Sequence, residues 1–301
     1  MSTIAVKAID TFCDVPYGGN PAGVVLDAGH LSDEQMQAIA RELNLPETAF
    51  VLPASEAGTD MKIRWFTPRT EIKLPGHAMI AVFHALAEEE RLGITKTGGH
   101  HFSFEDASGI HPADIESKDG RRKITVGMNV PAVESATQYR VDALRFLKIT
   151  VGDFEPSVSI QRSGFLFVPI RRLHTVFTLQ PNFPAMANFL LTRKMSGVCV
   201  YTMETVDRGS LIHVRVFAPH MGIFEDSATG SAHGVVTAYL FQKGQLPMEN
   251  NRSSFITEQG DEINKKSRLG VEVAADASGI QSLSVGGSAA TVFTGEIQTP
   301  S

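Results

Sequence analysis

Two stretches of this chain repeat one another: IRWFTPRTEIKLPGHAMIAVFHAL (63–86) and VRVFAPHMGIFEDSATGSAHGVVTAYL (214–240). Arg64, Phe66 and Pro68 meet Arg215, Phe217 and Pro219. Gly76-His77-Ala78 meets Gly230-Ser231-Ala232 once a short insertion is allowed in the second loop. Each copy reads strand, loop, glycine, apolar helix, and the copies lie about half a chain length apart. The helix predicted over 77–87 is apolar nearly all round, as is its counterpart over 231–243, which suits a central buried helix rather than a surface one. A duplicated domain is the simplest source of such a pattern. A chain of 301 residues, 43% hydrophobic, is long enough for about two such domains.

The rest of the pattern is mixed α and β. IAVKAIDTF reads as a strand, PYGGNPAG as turns and VVLDA as a second strand. Ser32 with Gln35 has capping-box spacing, Met36, Ile39, Ala40 and Leu43 form a helical apolar face, and Asn44 and Pro46 end it. Strands follow at TAFVLP and KIRWF, short strands joined by polar loops over 98–130, and further strands at FLFVPI, GVCVY and LIHVRVF, with a helix near 184–194. The pause at PAVESAT (131–137) predicts a boundary, giving one domain over 1–130 and another over 131–287.

Net charge is −6 with both signs interspersed, which gives no basic patch for nucleic acid or an anionic membrane. Two cysteines, Cys13 and Cys199, build neither a disulfide framework nor a cysteine-rich zinc site. Lys7 and Asp10 interrupt any apolar leader, and no apolar run reaches the ~18 residues a membrane span needs. The expectation is a cytoplasmic protein acting on a small molecule. His100, His101 and His111 lack the spacing of a metal site, so no metal is expected.

A helix start presents unpartnered N–H groups and a partial positive charge. Two such starts facing one cleft would bind a small carboxylate, with Gly76 and Gly230 allowing close backbone approach. On the residues alone each candidate also has a plain reading. Glu47 stands at the lip of a strand, where a carboxylate is often solvated. His77 could be a neutral core residue, Asp226 could only complement a helix dipole, and Ser231 could simply cap the helix. Asn20 could be turn or cleft wall. Arg64 and Arg215, and Glu225, read as structural.

The stretches DTFCDVPYGGNPAGVV, ARELNLPETAFV, RWFTPRTEIKLPGHA, RVFAPHMGIFEDSATGSAHG and, more weakly, ITEQGDEINKKSRLGVEV resemble, in order and spacing, the PhzF-like (phenazine-biosynthesis-like) family, related in fold to diaminopimelate epimerase. The resemblance covers essentially the whole chain. It implies an α+β fold of two similar lobes, each a mostly antiparallel sheet curled around one long buried helix, with the active site in the cleft between them. It also implies that residues from about 288 to 301 return to the first lobe. It implies an isomerase that moves a proton on a small carboxylate-bearing substrate without metal or organic cofactor, often as a homodimer. By the same match Glu47 is the proton-transferring residue, His77 a substrate contact or auxiliary acid/base, and Asp226 a polar partner of the substrate or of His77. Ser231 with Gly230 donates to the substrate carboxylate by that match, and Gly76, from the helix-start argument, and Asn20, as cleft wall, complete the expected substrate-binding set. The sequence departs from the family at Lys73, Pro75, Met79 and Ser227. Pro75 and Thr229 stand where two-cysteine epimerases carry their thiols, which disfavours a two-thiol racemase and favours double-bond migration. An epimerase with two opposed bases, and an idle ligand-binding protein on the same scaffold, remain the rival readings.

Overall fold

The computed structural model describes residues 2–73, 77–118, 121–156 and 160–300. The chain is α+β and dominated by sheet, and it divides into two compact units, Met1–Gly127 with Gly286–Ser301, and Met128–Val285. Among the described residues no helix is long and apolar enough to cross a membrane.

In the first unit, strand Thr3–Thr11 pairs antiparallel with Asn20–Val25 on one side and with Ala289–Gln298 on the other. Asn20–Val25 runs parallel to Glu47–Leu52, and the helix Asp33–Leu43 makes the crossover that a parallel pair requires. That helix starts with the capping box Ser32–Gln35 and ends at Asn44 in the left-handed region. It buries Met36, Ile39 and Ala40 against Val25, Phe50 and Phe66. Glu47–Leu52 is antiparallel to Met61–Phe66, which pairs with the short strand Glu71–Ile72 and, in parallel, with Gly98–Asp106. Gly109–Lys118 and Arg121–Met128 complete the meander. The helix Ala78–Glu88 contacts Thr3–Thr11, Asn20–Val25, Glu47–Leu52 and Ala289–Gln298, and Phe83 stacks on Phe102 and tilts against Phe104. One helix with strands on so many sides needs apolar residues all round, and nine of its eleven residues are buried.

The second unit repeats these pairings in the same order. Gln161–Ser163 is antiparallel to Phe165–Pro169, which is parallel to Gly197–Thr202 with the helix Phe183–Arg193 between them. Gly197–Thr202 is antiparallel to Ser210–Ala218. Ser210–Ala218 pairs antiparallel with Ile223–Asp226 and parallel with Arg252–Gln259, which is antiparallel to Ser267–Asp276. The strand side chains alternate between two cores. Cys199, Tyr201, Val214 and Val216 face the long helix Gly230–Gln242, while Val198, Val200 and Phe217 face the helices Arg140–Leu147 and Phe183–Arg193. A strand covered on both faces is apolar throughout, which is why all six residues of Gly197–Thr202 are buried.

Three features differ from the sequence reading. Gly98–Asp106, Gly109–Lys118 and Arg121–Met128 are long strands rather than short ones. Two helices, Arg140–Leu147 and Leu173–Thr178, were not anticipated, and neither were the strands from Arg252 onward. Those strands keep one face partly wet, as the alternating burial of Ser267–Asp276 shows, and their interspersed polar residues mask the apolar period.

The matched registers give each residue a counterpart in the other unit. Thr48 pairs with Phe66 and Val198 with Phe217, so Glu47 corresponds to Gly197. A Cβ at Gly197 would lie 2.7 Å from the Phe217 carbonyl oxygen and 2.8 Å from a Phe165 ring carbon. Gly197→Ala is expected to destabilise by about 2 kcal/mol through overpacking. Gly209→Ala, with open space around it, should leave the unfolding midpoint unchanged. Equal midpoints for the two variants would remove the steric argument.

Candidate active site

Glu47 is placed by the crossover: the helix before it stops at Asn44, and the strand it opens is pinned to Ala22. Its side chain is 15% exposed and His77's is 5%. Glu47 Oε2 lies 3.7 Å from His77 Nδ1 and accepts the Ala78 N–H at 3.4 Å. The carboxylate therefore sits on the first amide of the long helix, where the dipole favours negative charge. His77 occupies the N-cap position without a side-chain cap bond. Its Nε2 is 2.8 Å from the Pro21 carbonyl oxygen, which can only accept. The proton on Nε2 is thus fixed, and Nδ1 is the ring atom turned to Glu47, at ion-pair rather than hydrogen-bond distance.

Asn20, 2% exposed, adjoins Pro21 and takes the Thr11 hydroxyl on its carbonyl at 2.9 Å. Gly19 before it has φ +56°, and a Cβ there would strike the Thr11 carbonyl oxygen, so the approach to Asn20 requires glycine. Asn20–Pro21, Glu47 and His77 are thus gathered at one end of the long helix of the first unit. Gly76 and Pro75 lie outside the described residues.

In the second unit Asp226 ends a strand and Gly230 opens the helix, with Ser231 second in it. Ser231 is therefore not the cap. Thr229 is, and it too makes no side-chain cap bond, because its hydroxyl donates to Asp226 Oδ2 at 2.5 Å. Ser227 is buried and its carbonyl accepts from Ser267 Oγ at 2.8 Å. The sequence singles out Thr229 only as the residue in a thiol's place, and it does not single out Gln259, which holds this turn. The only signal was the Gln-Gly pair within ITEQGDEINKKSRLGVEV.

The repeated arginines are structural. Arg64 grips Glu71 through Nε and Nη2 at 2.7 and 2.8 Å, and Arg215 grips Glu225 in the same way at 2.9 and 2.7 Å. Each guanidinium also stands over the phenylalanine two residues on. The histidines at 100, 101 and 111 go to separate partners, Thr95, Asp114 and Asp106. Burial pushes the Cys199 thiol up, so it is an inert core group.

Among the described residues, His213, Glu258 and Asp261 have metal-ligand spacing. They do not suit a cation. The Arg268 guanidinium already holds Asp261 at 2.9 and 3.0 Å, and both His213 nitrogens are engaged, by Glu258 at 3.0 Å and Glu262 at 2.9 Å. Burial lowers the His213 pKa, but bonds to the two glutamates outweigh it and raise the value to about 9. The cluster is an ion network with an imidazolium at its centre. A histidine raised from 6.5 to about 9 stabilises the fold fully below pH 6.5, and that stability is lost as pH rises through 9. The loss is about 3 kcal/mol. His233 acts oppositely at lower pH: burial depresses it to about 4, so its contribution is present above 6.5 and lost as pH falls through 4. Denaturant titrations should therefore show stability falling between pH 6.5 and 9 in the parent and not in His213→Gln. A flat parent profile there would contradict the assignment.

Comparison with known proteins identifies the family of the chain. The sequence profile of the phenazine biosynthesis-like protein family matches residues 9–295. An "uncharacterized isomerase" of Clostridium acetobutylicum is 33% identical over 96% of each chain. The trans-2,3-dihydro-3-hydroxyanthranilate isomerase of Pseudomonas fluorescens is 30% identical over 96% of this chain and 97% of its own. A PhzF-family protein of Bacillus anthracis, solved by crystallography, superposes with a TM-score of 0.87 at 30% identity, covering 99% of this chain and all of that one. The chain belongs to the phenazine biosynthesis-like (PhzF) family of isomerases.

Proposed function

We propose that this isomerase migrates a double bond on a small, ring-type carboxylate by taking a proton from carbon and returning it elsewhere with one residue, Glu47. The observation that carries the reading is the Glu47 carboxylate lodged between the His77 imidazole and the first amide of a buried helix. Removal of a carbon-bound proton leaves electron density on the substrate that backbone N–H donors stabilise. His77, with its Nε2 proton committed to Pro21, holds the Glu47 side of the site and can exchange a proton only through Nδ1. Asn20 and Gly76 in the first unit, and Asp226, Gly230 and Ser231 in the second, are substrate-binding groups in this reading. The same carboxyl takes and returns the proton, so the reaction needs neither redox partner nor metal. The homodimer and the cytoplasmic setting belong to the same proposal; the family resemblance supports the first, and Cys13 and Cys199, neither of them in a disulfide, the second.

The repeat favours one base over a matched pair. The counterpart of Glu47 is Gly197, where even a Cβ would crowd the Phe217 carbonyl and the Phe165 ring, and the counterpart of Asp226 is Ile72. A base opposed to Glu47 would have to come from a position that the duplication does not supply. The test is incubation in D₂O with trans-2,3-dihydro-3-hydroxyanthranilate and a panel of small cyclic and amino carboxylic acids, followed by NMR. The expected result is a product with a shifted double bond, carrying deuterium at the carbon that gains the proton to the extent that the Glu47 carboxyl exchanges with solvent before it returns the proton. Deuterium retained with inversion at an unmoved stereocentre would replace this reading with a two-base epimerase.

A further inference from the structure

Gln259 lies at the end of strand Arg252–Gln259 and is completely buried. Its carboxamide reaches both ends of the turn that joins Asp226 to the long helix. Oε1 accepts the Thr229 N–H at 3.0 Å, and Nε2 donates to the Asp226 carbonyl oxygen at 2.7 Å. A backbone N–H can only donate and a carbonyl can only accept, so the two ends of the amide are assigned without ambiguity. Two consequences follow. His233 Nε2, 2.9 Å from Oε1, must carry a proton, so a neutral His233 leaves its buried Nδ1 bare, and that atom has no partner. Nε2 also donates to the Thr229 hydroxyl at 3.1 Å, which turns the hydroxyl proton toward Asp226 Oδ2. The bonds run in one direction: amide to hydroxyl to carboxylate.

We propose that Gln259 is a positioning residue for the reaction: through Thr229 it fixes the Asp226 carboxylate and the opening amides of helix Gly230–Gln242 in their substrate-binding arrangement. The inference rests on the function proposed above and extends it to a residue that touches no substrate. Gly260, at φ +84°, leaves no room for a Cβ beside the Ser227 carbonyl, and Ser267 grips that same carbonyl. The turn is thus held at residues 226, 227 and 229 by a single segment, 259–267. A turn needed only for chain reversal has no use for an oriented hydroxyl on its carboxylate.

The test compares Gln259→Met, Thr229→Val, Thr229→Ser and the Gln259→Met/Thr229→Val double variant with the parent. The probes are trans-2,3-dihydro-3-hydroxyanthranilate for turnover and anthranilate for binding by calorimetry. Gln259→Met and Thr229→Val should each lower kcat/KM about 100-fold, as a misplaced binding group does. Thr229→Ser, which keeps the hydroxyl, should stay within about threefold of the parent. The double variant should be no worse than the poorer single one, because both changes break one relay. Should Gln259→Met fail to fold, the contrast between valine and serine at 229 still decides. Parent-like kinetics in Gln259→Met or Thr229→Val, or losses that multiply in the double variant, would overturn the positioning role. Glu47→Gln run alongside separates the two claims: if it is inactive while Gln259→Met is normal, only the role of Gln259 falls. If the parent converts no member of the carboxylic-acid panel either, the function itself falls and this inference with it; if it converts another member, the same variants are compared on that substrate.

Discussion

Glu47→Gln should lose about 10³-fold in turnover while binding substrate with little change and unfolding at the parent midpoint. Glutamine keeps the shape and an acceptor for the Ala78 N–H, but it has no basic oxygen to take a proton from carbon. Because the lost interaction belongs to the proton transfer itself, the deficit belongs in kcat rather than KM. Glu47→Asp keeps the charge but draws the carboxylate back by a methylene, away from both His77 and the substrate, and should fall about 100-fold. Steady-state kinetics with the substrate found in the D₂O screen, and solvent-deuterium uptake in the same tubes, measure both. Wild-type turnover by Glu47→Gln on every accepted substrate would end the single-carboxylate mechanism.

Arg215→Met should destabilise by about 3–5 kcal/mol, whereas Arg64→Met should cost no more than about 1 kcal/mol, although the two arginines make the same bidentate pair in the repeated motif. The difference is burial. Arg215 and Glu225 are 7% and 10% exposed, and Arg215 Nη1 also donates to the Val176 carbonyl oxygen at 2.6 Å. Removing it leaves a carboxylate and a carbonyl in the interior without their donor. The Arg64 pair is wetter: Glu71 is 39% exposed and the second partner, Asp33, 72%. There water replaces the lost guanidinium. Urea titrations of the two variants give the comparison directly, and similar losses would show that the motif, not its environment, sets the energy.

What could be read from the sequence was whatever depended on side-chain period and repetition. The all-round apolar character of Ala78–Glu88 and Gly230–Gln242 identified both central helices, and the Arg-x-Phe-x-Pro repeat identified the duplication. Glu47 and His77, singled out by resemblance, stand together in the structure. Of the two readings of Ser231, the plain one as helix cap does not hold, because Thr229, whose hydroxyl goes to Asp226, takes the N-cap place two positions earlier. The strands after Arg252 escaped notice because half of their residues face water. Gln259 escaped for a different reason. Its importance comes from backbone atoms it meets more than two dozen residues away, and nothing in a lone buried glutamine foretells which carbonyl it will find.

The strand Ala289–Gln298, which flanks Thr3–Thr11, has a consequence for how the protein is made. A ribosome delivers the first unit's opening strands early and this one only after the whole of the second unit. The second unit, continuous in the chain, can therefore complete itself first, while the half carrying Glu47 waits with one sheet edge open. Chains released prematurely, short of residue 289, are expected to be inactive and prone to edge-to-edge association even though every residue assigned to the chemistry has been synthesised.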